Sequence, residues 1–263
     1  MDRIAVVTGA SGGIGRATAK RFARAGYTVY NLSRHPDPDG AFRHIPTDVS
    51  DGEAVAAAFA RIDREAGRID VLVNNAGFGI SGAAEFTETP EAERLFEVNF
   101  FGGLRCAQAA ATRMRRQGGG RIVNVSSVAA LFAIPFQAFY SASKSAVNAL
   151  SLAMDNELRP FGIRVLAVMP GDVRTQFTET RHKSMEGEAL YGGAIGRSVA
   201  VMERDERRGM TPETVAEAVF RAATQRRPKP LRTVGAQYRF FSFLFKVLPT
   251  RLINWLVGKL YIK

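Results

Sequence analysis

The 263-residue chain contains a single cysteine, Cys106, and only three histidines. One cysteine excludes an internal disulfide and fits a reducing compartment. It also excludes a thiolate zinc cluster, and His35, His44 and His182 fall in no paired metal-ligand spacing, so no metal is expected. No apolar run approaches the ~20 residues of a membrane-crossing helix. The opening stretch MDRIAVVTGASGG lacks an apolar segment between a basic start and a small-residue cleavage site, so a cytoplasmic location without a secretory leader is expected. Acidic residues are scarce in one region only. None follows Arg226, where nine Lys or Arg occur, whereas residues 1–225 hold 27 basic and 25 acidic residues. Most of the net charge of +11 therefore resides in the tail, and with no separate Lys/Arg-rich module a nucleic-acid partner is not expected.

What is present is a regular alternation. Apolar strand-like runs (RIAVVTG, YTVYNLS, a short one within AFRHIPTDVS, IDVLVNNAG, GRIVNVSS, IRVLAVMPG) are separated by segments with helical spacing. Asp51 is placed to start the helix DGEAVAAAFARIDREAG, and residues 90–118 read as one long helix. Such alternation implies an α/β fold: a doubly wound parallel sheet with helices on both faces. The first strand-to-helix turn is TGASGGIG, residues 8–15, where Gly9, Gly13 and Gly15 permit a tight turn and close approach to a pyrophosphate at a helix N-terminus. Ser11, Gly12 and Ile14 complete that turn. The second strand ends in Ser33, Arg34 and His35, with no acid before Asp37. An NAD site would offer Asp or Glu there, whereas Arg34, seconded by Ser33, suits a 2′-phosphate. NADP(H) is the expected cofactor.

Tyr140 and Lys144, in YSASK, stand four apart and leave one face of a helix. A carbonyl becoming an alcohol needs a proton at oxygen, and an ammonium beside a tyrosine favours its phenolate, which suits Tyr140 to acid–base work. Ser127 ends the preceding strand, where its hydroxyl could hold the substrate oxygen, with Ser126 as neighbour and competitor.

TGASGGIG, NNAG (74–77), VN (98–99), VNVSS (123–127), YSASK (140–144) and PGDVRT (170–175) together resemble the short-chain dehydrogenase/reductase family over about residues 3–225. Ala130 departs from the family's frequent glycine. The resemblance implies a Rossmann-type sheet, a nicotinamide cofactor and reversible alcohol–carbonyl interconversion. It implies a catalytic set of Asn99, Ser127, Tyr140 and Lys144, with Asn99 supporting the lysine through a water-linked path. Around the cofactor it implies Asp48 and Val49 on the adenine side and Asn75, Ala76 and Gly77 along its length. Pro170, Gly171, Val173 and Thr175 would lie at the nicotinamide. It also implies a homodimer or homotetramer. A catalytically silent cofactor sensor or scaffold of the same fold is the alternative, although none of the four catalytic residues is missing.

Residues 176–209 are polar and less regular, and read as a mobile lid of one or two short helices over the substrate. Thr211 and Pro212 mark the start of a further helix. Phe78, Phe132 and Phe136, with Ile80, Ile134 and Phe139, supply an apolar pocket suited to a steroid-, retinoid- or long-chain-like carbonyl or alcohol. Residues 1–225 are assigned to the catalytic domain and 226–263 to a C-terminal extension of amphipathic helices. In 238–248 the polar residues Arg239, Ser242 and Lys246 share one stripe, Pro249 interrupts, and Thr250 is placed to cap a second helix. The extension could pack on the body or a partner subunit, cover the pocket, or lie on a membrane surface through residues 238–262.

Overall fold

The computed structural model describes residues 2–262. In chain order the elements are β1 (Arg3–Thr8), α1 (Gly13–Arg24), β2 (Tyr27–Ser33), β3 (Arg43–Pro46), α2 (Gly52–Ala66), β4 (Val71–Asn74), β5 (Ile80–Ser81), α3 (Thr89–Phe96), α4 (Gly103–Arg116), β6 (Gly120–Val125), α5 (Ala138–Leu158), β7 (Ile163–Pro170), α6 (Phe177–Thr180), β8 (His182–Lys183), α7 (Ala194–Arg207), α8 (Pro212–Thr224), β9 (Leu231–Val234), α9 (Ala236–Val247) and α10 (Thr250–Tyr261). Seven parallel strands form one sheet in the order β3-β2-β1-β4-β6-β7-β9, and β5 pairs with β8 in a separate two-stranded sheet. Strand order reverses direction at β1 and β4. Ligands of open α/β sheets bind at that switch, beyond the carboxyl ends of the strands.

Alternation along the strands builds two cores. Ile4 and Val6 face one side with Phe59, Ile62 and Met114, and Ala5 and Val7 face the other with Phe22, Val215 and Val219. Burial on both faces is why these strands read as continuous apolar runs. Helix starts follow the cap chemistry: Asp51 accepts from the N–H groups of Glu53 and Ala54, and the Thr211 hydroxyl accepts from the Thr214 N–H ahead of Pro212. The helix expected over 90–118 is broken by a π-helical stretch, Glu97–Gly102, which carries Asn99. Such an extra residue in a helix commonly marks a functional site.

Three expectations are revised in the tail. Residues 231–234 form the seventh strand, paired with β7, so the sheet runs past residue 225 and the extension proper begins at α9. Four residues flanked by basic charge gave too short a pattern to read as a strand. Thr250 is the first residue of α10, and the capping position belongs to Pro249, whose fixed φ of −59° leads into the helix. In α9, Ser242 is buried and shares a 3.1 Å hydrogen bond with Thr233 of β9, so the polar stripe's middle member faces the body and aromatics face out.

Candidate active site

The Gly-rich turn and the β4 loop are stitched together before any ligand is considered. The buried Thr8 hydroxyl accepts from the N–H groups of both Asn75 and Ala76 at 2.9 Å, and the Asn75 amide donates back to the carbonyls of Thr8 and Gly9. Gly9 has φ +67°, and a Cβ on Gly15 would sit 2.2 Å from the Gly9 carbonyl oxygen. Only glycine fits there, and α1 can start directly against the turn. A cavity of about 2020 Å³ opens along this edge. It is bordered by Gly9, Ser11, Gly12, Gly13, Ile14, Arg34, Asp48, Val49, Asn75, Ala76 and Gly77, and also by Pro170, Gly171, Val173 and Thr175. Its volume exceeds the usual 300–1,000 Å³ of a single-ligand pocket. The residues expected around a dinucleotide thus share one cleft, and the glycines leave backbone exposed where a pyrophosphate would need it.

Individual members behave differently from expectation. Ser33 is buried and donates its hydroxyl to Asn31 Oδ1 and to the His35 carbonyl, so it is not free for a phosphate. Arg34 is exposed at the cavity edge and donates no hydrogen bond among the described residues. Asp37 turns away and accepts from the Ala41 N–H, closing its own loop. Asp48 holds Ser50 through its N–H and hydroxyl, which keeps its carboxyl below the ordinary range.

Around Tyr140 the residues expected to form the catalytic set lie together. Burial pushes the phenol up to about 12, and a hydrogen bond with Ser127 and the charge of Arg181 oppose that rise. Lys144 is buried, and burial pulls its ammonium down to about 8. Its Nζ donates to the Val125 carbonyl at 3.0 Å and lies 5.6 Å from the Tyr140 ring centroid. The leading influences that lower Tyr140 are Ser127 and Arg181. Ser126 spends its hydroxyl on the Lys144 carbonyl, which leaves Ser127 as the serine facing the tyrosine. Asn99 clamps the loop above: its amide accepts from the Phe78 N–H at 3.0 Å and donates to the Phe78 carbonyl at 2.9 Å. Ala130 lies in a single 3₁₀ turn, a conformation that needs no glycine.

Residues 3–186 match the family model described as short chain dehydrogenase. The chain belongs to that family. Among its curated relatives is a 3-ketodihydrosphingosine reductase of Bacteroides thetaiotaomicron, 39% identical over 234 residues, covering 88% of this chain and 87% of the relative. Among solved structures, a short-chain dehydrogenase from Streptomyces avermitilis superposes with a TM-score of 0.85 at 30% identity, covering 98% and 97% of the two chains. ElxO with NADP bound superposes with a TM-score of 0.75 at 26% identity, covering 91% of this chain and all of that one. The protein is thus an oxidoreductase of the short-chain dehydrogenase family with a nicotinamide-type cleft.

On the substrate side, this dehydrogenase departs from its sequence in two places. Phe78, Phe132, Ile134 and Phe139 border the cavity, but Phe136 does not. Its backbone is left-handed, φ +59°, and its ring packs edge-on against Tyr191 at 5.3 Å in a small cluster with Ile195 and Val199. Ile80 is likewise core, buried in β5. Residues 176–209, the segment expected to be a lid, contain the short α6, the β8 edge and the longer α7, more structure than their composition suggested.

The structure adds residues that sequence reasoning missed. Arg181 at the end of α6 is fully buried, pairs with Glu206 of α7, and leaves Nε and Nη1 unpaired. Thr178 donates to the same carboxylate at 2.7 Å. Tyr238 of α9 donates to the Asp172 carboxylate at 2.5 Å, and a Cβ on Gly171 would meet the Tyr238 ring at 2.1 Å. The tail is thereby fastened to the loop after β7. Polar residues within an irregular stretch carried no periodic signal that could single them out. Cys106 is fully buried with its thiol pushed up to about 12, which removes it as a nucleophile.

Proposed function

We propose that the protein is an NADP(H)-dependent reductase of a lipophilic, long-chain ketone, running in reverse on the secondary alcohol. The observation that carries this is the substrate end of the cavity. From Phe132 it continues along Leu244, Phe245, Leu248, Ile253 and Val257 of the tail helices, an apolar wall far longer than a small alcohol needs. Phe132 and Phe245 meet edge-on at 5.4 Å, joining the catalytic loop to α9. The 3-ketodihydrosphingosine reductase named above supports a long-chain keto substrate by analogy.

When bound, the nicotinamide cofactor supplies or accepts the hydride at carbon. Ser127 donates a hydrogen bond to the substrate oxygen and orients it toward Tyr140. Tyr140 gives its proton to that oxygen in reduction and takes it back in oxidation. Lys144, with its ammonium held at the β6 end by the Val125 carbonyl, offers its remaining N–H donors to the cofactor ribose. Asn99 keeps the 77–79 loop in place, which fixes the cleft floor. The apolar wall excludes water from the reacting oxygen. Homo-oligomerisation belongs to this reading, supported by the exposed Leu152 of α5 and Phe161 just beyond it.

Ketones of increasing chain length, followed by loss of NADPH absorbance, test the substrate class. The expected kcat/KM rises roughly fourfold per added methylene until the wall is filled, as ~0.8 kcal/mol per buried methylene requires. A profile that is flat or falls with length overturns it, and no turnover on any alcohol or ketone favours a silent cofactor-binding role. Cofactor choice is tested separately. Arg34→Ala is expected to weaken NADPH binding by roughly 10–100-fold, the loss of charge-assisted hydrogen bonds, with NADH affinity unchanged. A wild-type preference for NADH sinks the assignment.

A further inference from the structure

Large apolar side chains left in solvent are concentrated at one place in this molecule. Of fifteen exposed among the described residues, nine lie in 238–262. Because Ser242 turns inward, Phe240, Phe243 and Val247, three and four residues apart, form the outer face of α9, each more than half exposed. Arg239 and Lys246 flank them, both exposed. On α10, Ile253 and Val257 face inward, while Trp255 is 56% exposed with the Lys259 ammonium 5.8 Å over its ring. A continuous apolar patch of this kind marks an interaction surface rather than ordinary solvent-facing variation.

Charge selects the occupant. The chain has no Asp or Glu after Glu217, so α9 and α10 carry apolar and basic side chains and no acid of their own. A second copy docked symmetrically would set the same basic flanks against one another. An anionic lipid surface meets both properties: aromatics enter the headgroup boundary and Lys and Arg pair with the phosphates. No helix among the described residues is long and apolar enough to cross a membrane, so contact lies in the interfacial plane.

The same face is the mouth of the cavity. Phe241, Leu256 and Leu260 are exposed, yet they also line the cavity that leads to Tyr140. We propose that α9 and α10 dock the protein on an anionic bilayer and that the lipophilic substrate enters the cavity directly from it. The docking stands on the tail alone; the loading route rests on the long-chain reading above.

The test uses the full chain with vesicles of phosphatidylcholine alone or mixed with phosphatidylglycerol. Wild type is expected to co-sediment with the mixed vesicles and weakly with the neutral ones. Phe243→Ser combined with Trp255→Ser, two residues outside the cavity lining, should lower that binding by at least about tenfold. Arg239→Glu with Lys246→Glu should abolish the preference for anionic vesicles. All variants should keep wild-type turnover of a short, water-soluble ketone, while turnover of a long-chain ketone held in vesicles falls with binding. Equal sedimentation of wild type and the Phe243/Trp255 variant overturns the docking. So does a lipid-free oligomer that this variant dissociates with no vesicle binding by wild type. Vesicle binding without turnover of any long-chain ketone overturns the loading route and the substrate reading while leaving the docking intact.

Discussion

Tyr140→Phe is expected to lower turnover by roughly 10²–10⁴-fold in both directions, with cofactor affinity close to wild type. The phenylalanine fills the same space against Phe177, whose ring lies 5.6 Å away, so the loss isolates the hydroxyl. The pH dependence sharpens the test. With the phenol pushed up to about 12, Tyr140 stays protonated through neutral and mildly alkaline pH, so its proton is available for reduction throughout. Oxidation needs the phenolate, a minor form that grows about tenfold per pH unit below the pKa. Wild-type oxidation should climb steadily with pH while reduction should not, and the variant should lose the climb. Stopped-flow absorbance of the nicotinamide at several pH values measures both. Near-normal turnover in Tyr140→Phe would remove the acid–base assignment.

The second large effect is on stability. Glu206→Ala is expected to cost about 3–5 kcal/mol, because it strands the fully buried Arg181 guanidinium without its counter-ion. Against a total of about 5–15 kcal/mol this is a major loss, seen as a fall in Tm of roughly 10 °C by differential scanning calorimetry. Replacing both partners by apolar residues, Arg181→Met with Glu206→Leu, should recover most of that loss, since desolvation of two charges is then avoided. The double variant removes both the Arg181 charge that lowers Tyr140 and the Glu206 charge that raises it, so its oxidation profile should stay near that of wild type. A Glu206→Ala protein as stable as wild type would show that the pair is hydrated and contributes little. The pair ties the end of α6 to α7, and Phe177 of α6 and Glu206 of α7 both border the cavity.

Particular elements show where sequence reading reaches. The Gly9–Gly15 turn was legible because a glycine is forced by a left-handed φ or by a backbone 2.2 Å from its would-be Cβ, and such constraints act within a few residues. Asp51 and Thr211 were legible for the same reason, since a cap satisfies N–H groups two or three positions away. Phe136 was not, because whether an aromatic lines a cavity or a core depends on what packs opposite, here Tyr191 from the 176–209 segment. Ser33 was not, because its hydroxyl was claimed by Asn31 and the His35 carbonyl within its own strand end.

By itself the sequence determined the alternating α/β order, the strands buried on both faces, the place of the glycine turn and the shared helix face of Tyr140 and Lys144. These follow from local periodicity, capping and steric rules, which each residue carries wherever it is placed. Only the tertiary structure decided that residues 231–234 join the sheet, that Arg181 pairs with Glu206 in the interior, and that Ser242 faces inward. Those outcomes depend on contacts between distant segments: β7 with β9, α6 with α7, and α9 with the sheet edge. The free energy of such contacts comes from burial and charge pairing between partners, which no single stretch of sequence contains.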